Sequence, residues 1–115
     1  TLSTACKTML RSGGGRLVFT SSVAASLGLV NHEAIAAAKG GIESMVRTAA
    51  STYSQRGIRV NAVAPGLTET RLASQILKSD SMRDAAVGMI PLKRINEPGE
   101  ILPPCNGCCA MHPTI

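Results

Sequence analysis

The chain has 115 residues, of which 44% are hydrophobic and only 2% are aromatic. This length fits one domain, and the aliphatic composition excludes a disordered chain. No apolar run reaches the ~18 residues that a bilayer-spanning helix needs, so we expect no membrane partner. The net charge of +5 comes from scattered basic residues with almost no aromatic side chains to stack on bases, which disfavours nucleic acid as a partner.

The first predicted elements are a helix and a strand. Residues 1–12 carry apolar side chains at helical spacing, and the apolar run 16–20 is typical of a buried strand. The three glycines at 13–15 separate them. These glycines precede a strand, which is the wrong order for a dinucleotide phosphate loop, so we predict a turn. Residues 21–31 are predicted to form a loop.

A long helix is predicted from about residue 31, with Gly57 ending it. One of its faces is apolar through Ile42, Met45, Val46, Ala49, Ala50 and Tyr53. The run 58–64 is a second strand, so strand, helix and strand form one βαβ unit with a parallel pair and a right-handed crossover. Shorter helices are predicted over 70–79 and 81–89. The fold class is therefore α/β.

Two details of the long helix lead to further expectations. Glu43 and Arg47 are predicted to pair on the face opposite the apolar one. Gly40 and Gly41 each oppose a helix by about 1 kcal/mol relative to Ala. Two interpretations of these glycines stay open. Either the backbone is left bare for close packing or for an approaching ligand, or the helix is shortened or kinked.

Spaced motifs occur along this βαβ unit. They are residues 17–25 (LVFTSSVAA), 32–41 (HEAIAAAKGG), 57–66 (GIRVNAVAPG) and 91–100 (PLKRINEPGE). Together they resemble the short-chain dehydrogenase/reductase family over about residues 1–101. The resemblance implies a partial Rossmann-like fold. In it, a doubly wound parallel sheet is represented by one βαβ unit with flanking helices.

The resemblance also implies a catalytic pattern of Ser, Tyr and Lys for hydride transfer between a nicotinamide and a carbonyl or alcohol carbon. By its spacing Ser22 matches the serine and Lys39 the lysine, but Ile35 occupies the tyrosine position. A phenol, with a pKa of about 10, needs a nearby ammonium to act as a base near neutral pH. A hydrocarbon cannot exchange a proton, so Ile35 is predicted to be non-functional beside Ser22 and Lys39.

The implied cofactor is NAD or NADP. Lys39 would reach the nicotinamide ribose, while Pro65, Gly66 and Thr70 match the segment that contacts the nicotinamide carboxamide and the pyrophosphate. Alternatives without a functional role stay open for these residues. Ser22 is then a loop serine, Lys39 a surface lysine, and Pro65 with Gly66 a turn that ends the strand. The family's glycine-rich turn after its first strand is absent from the sequence. We therefore expect a truncated copy.

Residues 102–115 lack a helical period, so we expect residues 1–101 to form the dehydrogenase/reductase part and the remainder an irregular tail. Cys105, Cys108 and His112 have the spacing of a zinc knuckle. Ligands so crowded strain a tetrahedral site, and no metal is predicted. A reading frame displaced by two bases can encode a segment that resembles the family's next helix, so we interpret the tail as frameshifted.

The function implied by the resemblance is that of an NAD(P)-dependent oxidoreductase that reduces a carbonyl or oxidises an alcohol, similar to a 3-oxoacyl reductase. Its substrate would be a small molecule. Because Ile35 carries no acidic proton, this copy is expected to be inactive, and whether it is an enzyme stays open. The alternative is a non-catalytic pseudoenzyme or dimerisation fragment, and a homo-oligomer is expected. Because no signal segment is seen in the sequence, we expect reduced cysteines and a cytoplasmic protein.

Overall fold

The computed structural model describes residues 1–75, 77–101 and 103. The helices and strands within these ranges are α1 (Leu2–Arg11), β1 (Gly15–Thr20), α2 (Glu33–Tyr53), β2 (Ile58–Val63) and α3 (Asp80–Met89). Short 3-10 turns occupy Val23–Ala25, Ser54–Arg56, Ala73–Gln75 and Pro98–Ile101. No helix in the described part is both long and apolar enough to cross a membrane.

The sheet of the described residues consists of β1 and β2, paired in parallel. Its register runs from Gly15 opposite Ile58 to Thr20 opposite Val63. Because α2 lies between the two strands in the chain, strand, helix and strand form the predicted βαβ unit. The α/β fold class is confirmed.

The core lies between this sheet and helices α1 and α2. One cluster of buried side chains joins these elements: Cys6, Val46, Ala49, Ile58 and Val60. Ile58 is completely buried. The apolar face predicted for the long helix is confirmed, since Val46 and Ala49 are buried and Ile42, Ala50 and Tyr53 pack against the cluster.

The glycines after α1 form the predicted turn. Gly14 has a φ of +133°, and a Cβ on it would lie 2.6 Å from the carbonyl oxygen of Gly57. Gly15 N donates to the same oxygen at 3.1 Å. Gly57, with a φ of +74°, closes the 3-10 turn that follows α2. Only glycine allows the two chain reversals to approach so closely.

The helix predicted over 70–79 is wrong, because the described residues of this range, 70–75 and 77–79, form the 3-10 turn Ala73–Gln75 and no α-helix. Isolated helical bonds are present in this segment, from Ser74 N to Thr70 O at 3.0 Å and from Leu77 N to Ala73 O at 3.1 Å. Beside them, Thr70 Oγ1 accepts from Ala73 N at 3.2 Å, and Ser74 Oγ donates to Arg71 O at 2.7 Å, which are local bonds typical of turns. The next helix instead begins after Ser79, whose Oγ accepts from Met82 N at 3.3 Å.

The two glycines within α2 do not interrupt the helix, which continues from Glu33 to Tyr53. The shortened helix is therefore wrong. A Cβ on Gly40 or Gly41 would meet no described atom within 4 Å, so the described residues supply no close neighbour either.

Candidate cofactor site at the carboxyl ends of the strands

The segments that follow β1 and β2 lie at one edge of the sheet, because the strands are parallel. Backbone bonds extend the pairing beyond both strands: Ser21 N donates to Val63 O at 2.8 Å, and Val23 N donates to Pro65 O at 3.1 Å. The predicted site residues Ser22 and Pro65 are thereby brought to the same edge. Open α/β sheets bind ligands at this edge.

Lys39 reaches this edge from α2. Its Nζ donates to Thr20 O, the last residue of β1, at 2.9 Å. Among the described residues this bond uses one of the three N–H groups of the ammonium, which leaves two for a ligand. The lysine is half-buried. It is therefore held at the strand end and does not extend freely into solvent.

Ser22 begins the 3-10 turn Val23–Ala25 with an extended backbone. Its Oγ accepts from Ala24 N at 3.2 Å, so the oxygen is oriented by the turn. A hydroxyl that accepts in this way can still donate its own hydrogen. Ser22 can thus offer an oriented O–H at the strand edge.

Ile35 lies one helical turn before Lys39 on the continuous helix α2, so both side chains are on the same helical face. Its side chain is partly accessible, with 38% of the residue exposed. A hydrocarbon here can make apolar contacts with a ligand. It can neither donate nor accept a proton.

The segment after β2 contains Gly66, Thr68 and Thr70. Thr68 Oγ1 donates to Gly66 O at 3.0 Å, which makes a tight turn after the strand. Thr70 is exposed, and its Oγ1 caps the turn at Ala73. Gly66 and Thr70, which are the predicted cofactor-binding residues of this segment, thus lie within five residues of Pro65. The Thr70 hydroxyl, however, already accepts a hydrogen bond from Ala73 N.

Asn96 supports this segment and was missed by the sequence analysis. Its backbone N donates to Leu67 O at 3.0 Å, and its O accepts from Glu69 N at 2.8 Å. A Cβ on Gly66 would lie 3.4 Å from Asn96 Nδ2, so glycine permits close approach of the amide. Only the match of residues 91–100 to the family pattern could have indicated this contact.

The loop that presents Asn96 is closed by an ion pair. Arg94 donates to both oxygens of Glu100, at 2.8 and 2.6 Å. The hydrogen bond from Arg94, followed by that from Glu97 N, lowers the pKa of Glu100 from 4.5 to about 2. A second ion pair, between Arg83 and Glu69 at 3.2 Å, joins α3 to the segment after β2.

A further contact missed from the sequence lies beneath Lys39. The buried Ser21 hydroxyl donates to Glu43 Oε1 at 2.7 Å. The predicted pair of Glu43 with Arg47 is present at 3.9 Å, but the Glu43 side chain is only 20% exposed. Its expected place on the outer face is therefore wrong, because the carboxylate turns toward the end of β1.

These groups fit the nicotinamide end of a dinucleotide. Lys39 offers two N–H groups and Ser22 a hydroxyl, and Gly66 leaves the backbone after β2 without a side chain. Neither β1 nor β2, the strands of the described residues, is followed by a glycine-rich turn into a helix that would bind the pyrophosphate. In the described residues no group of His, Cys, Asp and Glu could hold a metal. Cys105, Cys108 and His112 lie outside them.

Comparison with known proteins decides the family. The family model described as enoyl-(acyl carrier protein) reductase matches residues 1–105. The chain belongs to the short-chain dehydrogenase/reductase family. It is 38% identical to cis-4-hydroxycyclohexanecarboxylate dehydrogenase of Sinomonas cyclohexanicum over 97 residues, which cover 84% of this chain and 38% of the relative.

Other members of the short-chain dehydrogenase/reductase family are similar in sequence and fold. The 3-oxoacyl-[acyl-carrier-protein] reductase FabG of Pseudomonas aeruginosa is 36% identical over 93 residues, covering 81% of this chain and 37% of that protein. A short-chain type dehydrogenase/reductase from Mycobacterium ulcerans superposes with a TM-score of 0.89 at 28% identity, over 95% of this chain and 40% of its own.

A structure with bound cofactor is among the neighbours. A putative NAD(P) dependent gluconate 5-dehydrogenase from Beutenbergia cavernae, with bound NADP at low occupancy, superposes with a TM-score of 0.86 at 30% identity. The match covers 90% of this chain and 42% of that one. NAD or NADP is thus the cofactor at the level of the family. The chain spans about two fifths of the length of these relatives.

Proposed function

We propose that this chain is the nicotinamide-holding part of an NAD(P)-dependent oxidoreductase site that lacks its proton donor. The observation that carries the proposal is Ile35, which lies on α2 one turn before Lys39, whose ammonium bonds to Thr20 O at the end of β1. The chain then contributes to cofactor binding but does not reduce a carbonyl.

Lys39 is the residue that would hold the nicotinamide ribose. Its bond to Thr20 O fixes the ammonium at the strand edge, and its two remaining N–H groups suit ribose hydroxyls. Pro65, Gly66 and Thr70 would border the nicotinamide and the pyrophosphate. Bound NAD(P) would supply or accept the hydride.

Ser22 would bind the carbonyl or hydroxyl oxygen of a small-molecule substrate. Its oxygen is oriented by Ala24 N, so the hydroxyl hydrogen can be directed at a ligand oxygen. The names of the relatives support an alcohol or ketone, with a 3-oxoacyl group as one example.

Proton exchange is the step that fails. A positioned general acid contributes about 10²–10⁴-fold to a rate, and a hydrocarbon at position 35 contributes none of it. Lys39 cannot replace the acid without giving up the ammonium that binds ribose. The expected outcome is no measurable carbonyl reduction with NADH or NADPH.

A chimera tests the proposal. Residues 1–101 would replace the corresponding segment of the Pseudomonas aeruginosa reductase, which supplies the part of its chain that the match does not cover. We expect Ile35→Tyr to restore turnover of ketones in the chimera and not in the 115-residue chain. Ile35→Phe, which adds the ring without the hydroxyl, is the matched control and should stay inactive. Turnover by the chimera with Ile35 would show that the proton comes from another group.

A second candidate function is a non-catalytic interaction fragment. An open cleft of about 410 Å³ lies between the start of α1 and α2, lined by Leu2, Met45 and Tyr53 among others. This surface could bind a second copy. An oligomer that forms without cofactor and is dissociated by Met45→Asp would favour this function, whereas cofactor retention by the chimera favours the first.

A further inference from the structure

Ser21 is the one polar residue that is buried in the described ranges, with 3% of its surface exposed. It lies between Thr20, whose carbonyl binds Lys39, and Ser22. A buried hydroxyl needs a partner, and that of Ser21 donates to Glu43 Oε1 at 2.7 Å and contacts Lys39 O at 3.4 Å. The first distance is typical of a charge-assisted bond from a hydroxyl to a carboxylate.

The bond from Ser21 to Glu43 can affect the position of Lys39, because Glu43 follows Lys39 by one turn of α2. On the other side, Ser21 is anchored to the sheet, since its N donates to Val63 O at 2.8 Å. Arg47 also reaches Glu43, but at 3.9 Å and with a side chain that is 69% exposed. The bond from Ser21 is therefore the shorter and better shielded of the two.

We propose that Ser21 and Glu43 are positioning residues that hold the ammonium of Lys39 at the carboxyl end of β1. The two bonds act at different points of the same junction. Ser21 with Glu43 fixes the helix against the strand end, and Lys39 Nζ with Thr20 O then fixes the side chain. Loss of the bond between Ser21 and Glu43 lets α2 shift relative to β1. The bond from Lys39 Nζ to Thr20 O is then weakened.

The proposal rests on the proposed function only through the role of Lys39 in binding ribose. Its test therefore measures Lys39 directly, without cofactor. The reactivity of each lysine amine toward limiting acetic anhydride can be followed by mass spectrometry of the digested full chain. Lys7 and Lys78 are exposed and provide internal references. Lys39 should react more slowly than both in the wild-type chain.

Ser21→Ala and Glu43→Ala should each raise the reactivity of Lys39 about threefold to tenfold, the change expected from the loss of one hydrogen bond. Glu43→Gln keeps an acceptor and should retain most of the protection. Arg47→Ala and Ser51→Ala, at exposed positions of α2, are matched controls and should leave Lys39 unchanged. These results would support the positioning role.

Cys6 distinguishes positioning from general unfolding. Its thiol is buried, with 1% of the residue exposed, and reacts with N-ethylmaleimide only when the core opens. A rise at Lys39 with unchanged Cys6 supports the proposal. The proposal is overturned if the reactivities of Lys39 and Cys6 rise in parallel. It is also overturned if the reactivity of Lys39 does not rise in Ser21→Ala and Glu43→Ala. Cofactor retention by the chimera fails or succeeds independently of these rates, so the two proposals are separable.

Discussion

Ile58→Ala is expected to cause a large loss of stability. Ile58 begins β2, has no exposed surface, and belongs to the cluster that joins α1, α2 and the sheet. The substitution removes three carbon atoms, at about 0.8 kcal/mol for each buried CH₂ group. The cavity left behind adds to this, so we expect a loss of about 3 kcal/mol.

Thermal unfolding followed by far-UV circular dichroism measures this loss. For a chain of this size, about 3 kcal/mol corresponds to a Tm lower by roughly 12–24 °C. Both proteins must be compared at equal concentration, because association changes the Tm. Val30→Ala is the control, since Val30 is 83% exposed and should change stability by less than about 0.5 kcal/mol. Equal Tm values for the two variants would refute the assigned core.

Three further predictions concern the turn, the acid behaviour and the sheet edge. Gly14→Ala places a Cβ 2.6 Å from Gly57 O at a φ of +133°, so urea titration should show a free energy of unfolding that is lower by about 1–3 kcal/mol. Gly28→Ala is the control and should not show this loss, because a Cβ on Gly28 meets no described atom within 4 Å. The pKa of Glu100 is lowered from 4.5 to about 2, so its stabilising bond to Arg94 is present above pH 4.5 and is lost as the pH falls toward 2. Glu100→Gln should remove the part of the pH-dependent change in Tm that this group causes in that window. In the described residues β1 pairs only with β2, so its other edge should make the purified chain associate on size-exclusion chromatography. Val18→Lys should reduce this association, and a dilute wild-type monomer with a sharp melt would contradict the prediction.

The elements built from local periodicity were predictable from the sequence. The apolar positions at helical spacing predicted α2 to within a few residues, since side chains such as Val46 and Ala49 must face a single core. The strands were predicted from short apolar runs, each of which is preceded by glycine. Residues 70–79 were mispredicted because their described part forms isolated i to i+4 bonds, such as that from Ser74 N to Thr70 O, beside local side-chain bonds, and no continuous helix.

The candidate site was predictable only as a motif. Spacing indicated Ser22, Ile35 and Lys39, but their roles stay predictions. The contacts that support them join residues far apart in the chain: Ser21 and Glu43 are separated by 22 positions. Neither residue type nor spacing distinguishes a partly buried glutamate of this kind from an exposed one, because the difference arises only when the helix packs on the strand end.

Binding of NADPH to the chimera that carries residues 1–101 with Ile35 tests the central claim most directly. Fluorescence of the bound nicotinamide measures the Kd. We predict that the chimera binds NADPH without turnover, and that Lys39→Met weakens binding about tenfold or more, as expected for lost charge-assisted bonds. Lys7→Met, an exposed lysine on α1, should leave the Kd unchanged. No binding by the chimera, or equal Kd values for Lys39→Met and the parent, would contradict the claim that this chain holds the nicotinamide through Lys39.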